Sequence, residues 1–299
     1  DSIDVDTHQK TATKKKETNI YAPKAKDAPD GVYESKIRFL YNPNDPVAGS
    51  IIHKVVYYLL DNSNQGHYFD SPQSVGDWNS CLIGQLWKKL SKSDSAVDKK
   101  NASNLNKRDV YYSLIQIIDD KIKPELNGKI MIFKYGIKIK AKLDKFLEPK
   151  PGKNKIDIFN FYNGRNMDLH ITRQGQFNNY DETSFEDEST PIVVNGNEVP
   201  TGEKGRAILQ KLMEGAPNLD EFKFKPWSDE EKVKLQRILN LYLSPGDSIS
   251  NIVDNNKASA PAKNSPAPKK STKPAEVEAS STSAKGEDEN LDEFLDNLG

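Results

Sequence analysis

Short β-type segments separated by turn residues constrain this chain most. Between residues 32 and 173, runs of β-branched and aromatic residues are each ended by asparagine, aspartate, glycine or proline. The runs that predict strands are 35–41, 51–60, 67–69, 110–118, 129–135, 156–161 and 166–173. Helical spacing predicts helices at 79–90, 137–147, 206–213 and 229–243, the last opened by a capping box of Ser228 and Glu231. We therefore predict a mainly β fold with α additions.

Composition predicts several regions along the chain. The mean hydropathy of −0.76 is low, so part of the 299 residues is expected to be solvated rather than packed. Residues 1–31 predict a flexible, disordered basic arm, residues 255–285 an Ala/Pro/Ser/Lys linker, and residues 286–299 an acidic tail. The ordered core is expected over 32–254, with an accessory subdomain at about 61–106 and carboxyl-terminal helices at about 205–243. Within the subdomain, the polar stretch 91–106 predicts a loop.

Charge is segregated although the net charge is only −1. Residues 36–155 hold 21 lysines and arginines against 12 aspartates and glutamates, whereas residues 181–254 hold 8 against 15. The last fourteen residues hold six acids and no base. A basic centre with an acidic end predicts a polyanionic partner and a tail that competes with it.

Two classes of protein are disfavoured by what the sequence lacks. The lone cysteine, Cys81, cannot form an internal disulfide or a multi-thiolate metal site, which indicates a reducing, intracellular compartment. No apolar run approaches the roughly 20 residues that span a bilayer, so no membrane association is expected.

Short strands, aromatic residues and lysines together favour a small barrel of the OB type, which binds single strands by stacking bases on rings while cations follow the phosphates. The candidate stacking residues are Trp78, Tyr111, Tyr112, Tyr135, Phe177 and Tyr180, and the candidate phosphate contacts are Lys36, Arg38, Lys107, Arg108, Lys134, Lys138 and Arg173. A tyrosine on a strand more often packs in a core, and adjacent residues point to opposite faces, so at most one of Tyr111 and Tyr112 faces the nucleic acid. Stacking accepts RNA and DNA alike.

Two other functions compete with this interpretation. Asp119 and Asp120 could serve a metal-dependent nuclease, although adjacent carboxylates beside a turn usually only end a strand. An adaptor that works through its tail alone would explain the acidic end but not the basic core. There is no Gly-x-x-x-x-Gly-Lys motif, which argues against an ATP-driven motor.

Five segments carry a resemblance to a known family: Lys36-Ile37-Arg38-Phe39-Leu40, Gly76-Asp77-Trp78-Asn79-Ser80-Cys81, Phe133-Lys134-Tyr135, the stretch 175–185 with its Phe177-Asn178-Asn179-Tyr180-Asp181-Glu182, and the closing 291–298. They resemble the helix-destabilising, single-stranded DNA-binding proteins of T-even-type bacteriophages. The resemblance implies a non-enzymatic protein with an OB-fold core and a small accessory subdomain, which coats single-stranded DNA in replication, recombination and repair, in the cytoplasm of the infected bacterial host.

The resemblance also assigns roles to the two ends of the chain. The basic cluster Lys14, Lys15, Lys16 and Thr18 is similar to the family's element for cooperative contact between copies along the DNA, with Glu17 in place of one hydroxyl. The tail is implied to recruit phage replication and recombination proteins: polymerase, helicase loader, primase-helicase and recombinase mediators. Its implied contact residues are Leu291, Asp292, Phe294, Leu295, Asp296 and Leu298.

The family's metal is where the sequence departs from the pattern. The family holds zinc with one histidine and three cysteines, whereas here Cys81 matches one thiolate, Gly84 occupies the next position, and Ser71-Pro72 lacks another. His53 lies near the expected histidine. Because a tetrahedral site cannot close two thiolates short, we expect no zinc and no other cofactor. Packing of Leu82, Ile83 and Trp87 is expected to hold the subdomain instead.

Overall fold

The computed structural model describes residues 19–46, 48–152, 154–243 and 249. Its strands are β1 (Ile20–Tyr21), β2 (Tyr33–Leu40), β3 (Ile52–Leu60), β4 (Gly66–Asp70), β5 (Lys107–Asp120), β6 (Ile130–Tyr135), β7 (Asn166–Gln174), β8 (Phe177–Asn179), β9 (Ser184–Phe185), β10 (Val193–Val194) and β11 (Asn197–Glu198). Its α-helices are α1 (Leu82–Ser91), α2 (Ala96–Asn104), α3 (Ile137–Leu147), α4 (Glu203–Glu214) and α5 (Asp229–Asn240). The fold is mainly β with helices added, as the sequence predicts.

Strand β5 organises the main sheet. Its 14 residues are long enough for two antiparallel partners to follow one another along the same edge: β3 pairs with the first part and β2 with the last part. Strand β6 pairs antiparallel with the middle of the opposite edge. The sheet continues outward as β1-β6-β5-β2-β7-β8, with the β3–β4 hairpin branching from β5.

Two hydrophobic clusters lie on this frame. The larger one lies among β2, β5, β6 and β7 and includes buried residues of α3 and α4. The smaller one joins the inner face of the β3–β4 hairpin to α1, α2 and α5. Helix α5 therefore packs with the smaller cluster, through Leu235, Ile238 and Leu239, and not with its neighbour in sequence, α4. The capping box predicted at its start is confirmed, since Ser228 and Glu231 bond to each other's backbone amides.

Two predicted elements are wrong. Residues 156–161 form turns instead of a strand, because the Asp157 and Asn160 side chains accept hydrogen bonds from nearby backbone amides and so replace the sheet ladder. The predicted loop 91–106 contains helix α2, which Ser95 caps by accepting from the Asp98 amide at 3.3 Å. The helix escaped prediction because only Ala102 of its nine residues is buried, so it lacks an apolar stripe.

The prediction of a flexible arm over residues 1–31 is also wrong for residues 19–31, which are ordered. Strand β1 pairs parallel with β6, and the Tyr21 side chain is buried. Tyr21 and Tyr33 both donate to Asp120 Oδ2 at 2.7 Å, and the backbone amides of Ile122 and Lys123 donate to Oδ1. Burial raises the pKa of both phenols far above the ordinary value, so they remain neutral donors.

Within the described ranges, none of the helices is both long and apolar enough to cross a bilayer.

Replacing Asp120 with alanine tests the role of this buried carboxylate. The change leaves two phenols and two amides without their acceptor, so we expect the free energy of unfolding to fall by about 3 kcal/mol. Urea unfolding followed by circular dichroism measures it. Asp119→Ala is the matched control, because Asp119 is exposed, and it should cost less than about 0.5 kcal/mol. Equal losses in the two variants would contradict this assignment.

Candidate nucleic-acid interface

The alternation of β5 sorts the candidate residues onto two faces of the sheet. Lys107, Asp109 and Tyr111 share one face, while Arg108, Val110 and Tyr112 share the other. Strand pairing extends the first face sideways, since Tyr111 lies between His53 on β3 and Tyr135 on β6. The two faces of the sheet therefore carry different candidate residues for binding nucleic acid.

The first face carries a stacked row of rings. His53 and Tyr111 have centroids 4.8 Å apart with planes inclined by 17°. Tyr111 and Tyr135 follow at 5.8 Å and 20°. The row runs inward from half-buried His53 to buried Tyr135, so its outer rings are open to a flat ligand. His53 is held in place by Asp109, whose Oδ1 lies 2.8 Å from the imidazole Nε2.

Lysines lie close to two rings on this side of the sheet. Lys107 Nζ lies 5.3 Å from the centroid of Trp78, whose side chain is 59% exposed. Lys140 Nζ lies 5.8 Å from the centroid of Tyr111 and pairs with Asp144 one turn later on α3. We call Trp78, Lys107, His53, Tyr111 and Lys140 the stacking row. Rings that alternate with ammonium groups suit a ligand made of flat bases and phosphates.

Helix α3 extends the cationic surface from the stacking row toward β8. Gly136, which has an extended backbone, precedes this helix, and Ile139 and Leu143 anchor it in the core. Lys138 at its start lies 3.4 Å from Asn179 Oδ1 and 3.3 Å from Asp181 Oδ1. Lys142 donates to the Asp181 carbonyl oxygen at 3.2 Å. These contacts place the Phe177–Asp181 segment beside the amino-terminal end of α3.

Arg38 is not a phosphate contact in this structure, because its side chain is fully buried. Its guanidinium donates to the Asn160 and Thr190 carbonyl oxygens, at 2.7 and 2.9 Å, and to Asn166 Oδ1 at 3.2 Å. Burial lowers its pKa to about 10, which leaves it charged at neutral pH. The arginine that sequence analysis assigned to a ligand instead ties two loop segments, at Asn160 and Thr190, to the start of β7.

Two candidate stacking residues are also buried. Tyr112 lies on the second face under Phe222, with ring centroids 4.5 Å apart, and burial raises its pKa to about 12. Tyr135 is 5% exposed and its hydroxyl lies 3.0 Å from that of Ser113. Tyr111 is thus the member of the adjacent pair that lies on the stacking row, and Tyr135 supports it from the core side.

The remaining candidates lie apart from the stacking row. Lys36 pairs with Glu186 and Asp168. Arg173 donates to the Gly175 carbonyl oxygen at the β7–β8 turn, where Phe177 is 79% exposed, while Tyr180 is half-buried against the core. Arg108 and Lys134 lie on the second face. The arm residues Lys14, Lys15, Lys16 and Thr18 and the tail residues from Leu291 to Leu298 lie outside the described residues.

The structure does not support a nuclease at Asp119 and Asp120. Asp120 is buried and already accepts four hydrogen bonds, while Asp119 points to the opposite, exposed side. Across the described residues, no group of three histidine, cysteine or carboxylate side chains could hold a metal ion.

The residues around Cys81 do not fit zinc. Cys81 Sγ lies 3.2 Å from Ser71 Oγ and accepts from the Gly84 amide at 3.3 Å, which caps α1. Gln73 Nε2 donates to the Tyr57 hydroxyl and lies where a side chain at position 84 would begin, 2.6 Å from an ideal Cβ. This hydrogen-bonded cluster offers one thiol.

His53 does not belong to that cluster, since it pairs with Asp109 in the stacking row. Of the residues expected to hold the subdomain, Ile83 is buried and Leu82 partly buried, but Trp87 is 44% exposed, and Leu86 and Leu90 fill the position expected for it.

Sequence reasoning missed His53 and Lys140 as members of the row. The spacing 107, 109, 111 identifies one face of β5, but the partner of that face depends on the register between strands. His53 joins Tyr111 because Ile52–Tyr57 pair with Lys107–Tyr112, and this register cannot be read from either segment alone.

Comparison with known proteins gives a family and two relatives. Residues 31–241 match the model of the family described as "gp32 DNA binding protein like". The chain is 27% identical over 159 residues to a protein of Enterobacteria phage T4 named "Single-stranded DNA-binding protein". The matched residues cover 52% of this chain and 51% of the relative. The protein of the same name from Enterobacteria phage T2 is 26% identical over 159 residues, with the same coverage. The chain thus spans about half the length of the curated relatives it matches.

Proposed function

Because the chain belongs to the gp32 DNA-binding-protein-like family, we propose that it is a single-stranded DNA-binding protein of a T-even-type bacteriophage. The single observation that carries the proposal is the stacking row, in which half-buried and exposed rings alternate with lysines on one face of the sheet. The row has no catalytic geometry, so the protein acts by binding and not as an enzyme.

Bases stack on Trp78 and Tyr111 in this proposal, while Lys107 and Lys140 neutralise the phosphates between them. Such contacts tolerate any sequence because every base has a flat face. Lys138, Phe177 and Tyr180 extend the same path along α3 and β8. The core that carries the path is of the OB type, and β5 is its long central strand. Bases of RNA would stack on the same rings.

The two ends of the chain supply the remaining functions. Copies contact one another along the DNA through Lys14, Lys15, Lys16 and Thr18, shortly before Tyr21, which is anchored on Asp120. The acidic tail recruits phage replication and recombination proteins through Leu291, Asp292, Phe294, Leu295, Asp296 and Leu298. In the absence of DNA the tail lies against the basic residues of the core and DNA displaces it. The protein works in the cytoplasm of the infected bacterial cell.

The alternative function, an adaptor that works through protein contacts alone, leaves the stacking row without a role. An adaptor would not need the exposed Trp78 next to Lys107, nor the half-buried Tyr111 next to Lys140. The two functions differ in whether the purified chain binds a single strand.

Trp78→Ala tests the proposed function. Losing one stacked base should weaken binding to labelled oligothymidylate by about 1–3 kcal/mol, measured by fluorescence anisotropy at several salt concentrations. Trp87→Ala is the matched control, because Trp87 is also exposed but lies on α1 outside the stacking row, and it should bind like the unmodified chain. If the unmodified chain failed to bind at low salt, the adaptor would be the better account.

Truncation after Asp254 tests the competing tail. Without residues 255–299, the affinity for oligothymidylate at low salt should rise and the salt dependence should change, because six terminal acids no longer compete for the cations. Replacing those six acids with their amides in the full-length chain separates charge from length and should have the same effect. An unchanged affinity and salt slope in both variants would refute the competition.

We propose further that the smaller hydrophobic cluster, which contains Cys81, folds without a metal, since Cys81 is its one thiol. Elemental analysis of the purified chain should find zinc well below one ion per molecule. Treatment with a strong chelator should leave the unfolding midpoint unchanged, whereas a structural zinc site would unfold under it. One bound zinc per molecule, with a chelator-sensitive midpoint, would overturn this proposal.

A further inference from the structure

The outer face of the β3–β4 hairpin carries an exposed pair of tyrosines that no part of the proposed site uses. Tyr58 and Tyr68 are register partners, with ring centroids 4.9 Å apart. Tyr58 is 36% exposed and Tyr68 67%. The inner face of the same hairpin packs on α1 and α5, so the tyrosine pair points away from the smaller hydrophobic cluster.

A glycine on β4 leaves room for the Tyr58 ring. Gly66 lies directly beneath Tyr58, and a methyl group at position 66 would overlap the Tyr58 ring. The ring therefore lies flat across β4, where a side chain would otherwise stand. A flat, fixed, half-exposed ring loses little conformational freedom when another flat ring covers it.

Positive charge adjoins the pair on the same face. The Arg108 guanidinium carbon lies 5.6 Å from the centroid of Tyr58, because Val56, two residues before Tyr58, is the register partner of Arg108. Lys134 lies on β6 as the register partner of Tyr112. Burial lowers the pKa of Lys134, and the nearby ammonium groups of Lys24 and Lys54 lower it further. Within the described part of the chain, no carboxylate lies within ion-pair distance of Arg108, Lys134 or Lys24.

The second face thus repeats the chemistry of the stacking row on the other side of the sheet. Lys134, the register partner of Tyr112, lies on the next strand and four residues further along β5 than Arg108, and the Lys54–Asp70 ion pair lies on the same face between them. A cross-strand tyrosine pair that only stabilised the hairpin would not need the unpaired arginine over it. An apolar protein partner would meet exposed cations at one edge of the pair. A single strand supplies both flat rings and phosphates.

We propose that Tyr58, Tyr68 and Arg108 form a second base-stacking surface for single-stranded nucleic acid, with Lys134 and Lys24 as phosphate contacts. This inference rests on the proposed function, because it assigns a further segment of the same ligand. The strand that lies on the stacking row and the strand that lies on the tyrosine pair contact opposite faces of β3 and β5. Short oligonucleotides therefore occupy the stacking row alone, whereas longer ones reach both.

A length series of labelled oligothymidylates, from about 4 to about 24 nucleotides, tests this with the full chain. Tyr68→Ala should weaken binding of the longest strand at least fivefold, about the lower limit for losing a stacking ring, and leave the shortest unchanged. Tyr68→Phe keeps the ring and should bind every length like the unmodified chain. Arg108→Gln should lower the salt slope for the longest strand by about 1.

The outcomes separate this inference from the proposed function. If Trp78→Ala weakens binding but Tyr68→Ala leaves every length unchanged, the second surface is refuted while the first stands. If Tyr68→Ala weakens all lengths equally, the pair is not a separate surface. If the unmodified chain binds no length, the proposed function itself fails. The urea midpoint of each variant, expected to be unchanged at these exposed positions, excludes unfolding as the cause.

Discussion

Strand β5 is hydrogen-bonded to other strands along both edges and carries side chains on both faces, and the rest of the structure depends on these pairings. One edge is shared in series by β3 and β2, and the other is taken by β6, so most of its backbone groups bond to a neighbour. Because side chains alternate, each added partner strand also extends both faces. The hydrophobic core and the stacking row follow from those registers, and the β3–β4 register adds the tyrosine pair.

Buried polar groups hold the pieces around β5 in place. Asp120 at its end gathers Tyr21, Tyr33 and two amides, which fixes β1 and the turn after β5. Arg38 on β2 does the same for the loops at Asn160 and Thr190. Both side chains are charged types that sequence analysis assigned to chemistry or to a ligand. Burial with hydrogen bonds to the Asp120 carboxylate and from both terminal nitrogens of Arg38 gives them structural roles, since an unpaired charge in these positions would be costly.

The cluster around Cys81 has a related arrangement. The Cys81 thiol contacts Ser71 Oγ and accepts from the Gly84 amide, and beside it Gln73 donates to the Tyr57 hydroxyl, with Gly84 leaving room for the Gln73 amide. Helix α5 then contributes Leu235, Ile238 and Leu239 to the same lobe from more than a hundred residues away. Hydrogen bonding and a distant helix together hold this smaller cluster and join it to the later part of the chain.

The sequence by itself determined most of the element types, with 156–161 and α2 as the exceptions, and the capping box at Ser228, because periodicity and local hydrogen bonding act over a few residues. It also determined that Tyr111 and Tyr112 lie on opposite faces. The tertiary structure alone decided that Tyr111 is the one beside Trp78 and Lys107, that Arg38 and Tyr135 are buried, and that Tyr58 meets Arg108. Those outcomes depend on register and packing between segments far apart in the chain, and no local pattern records them.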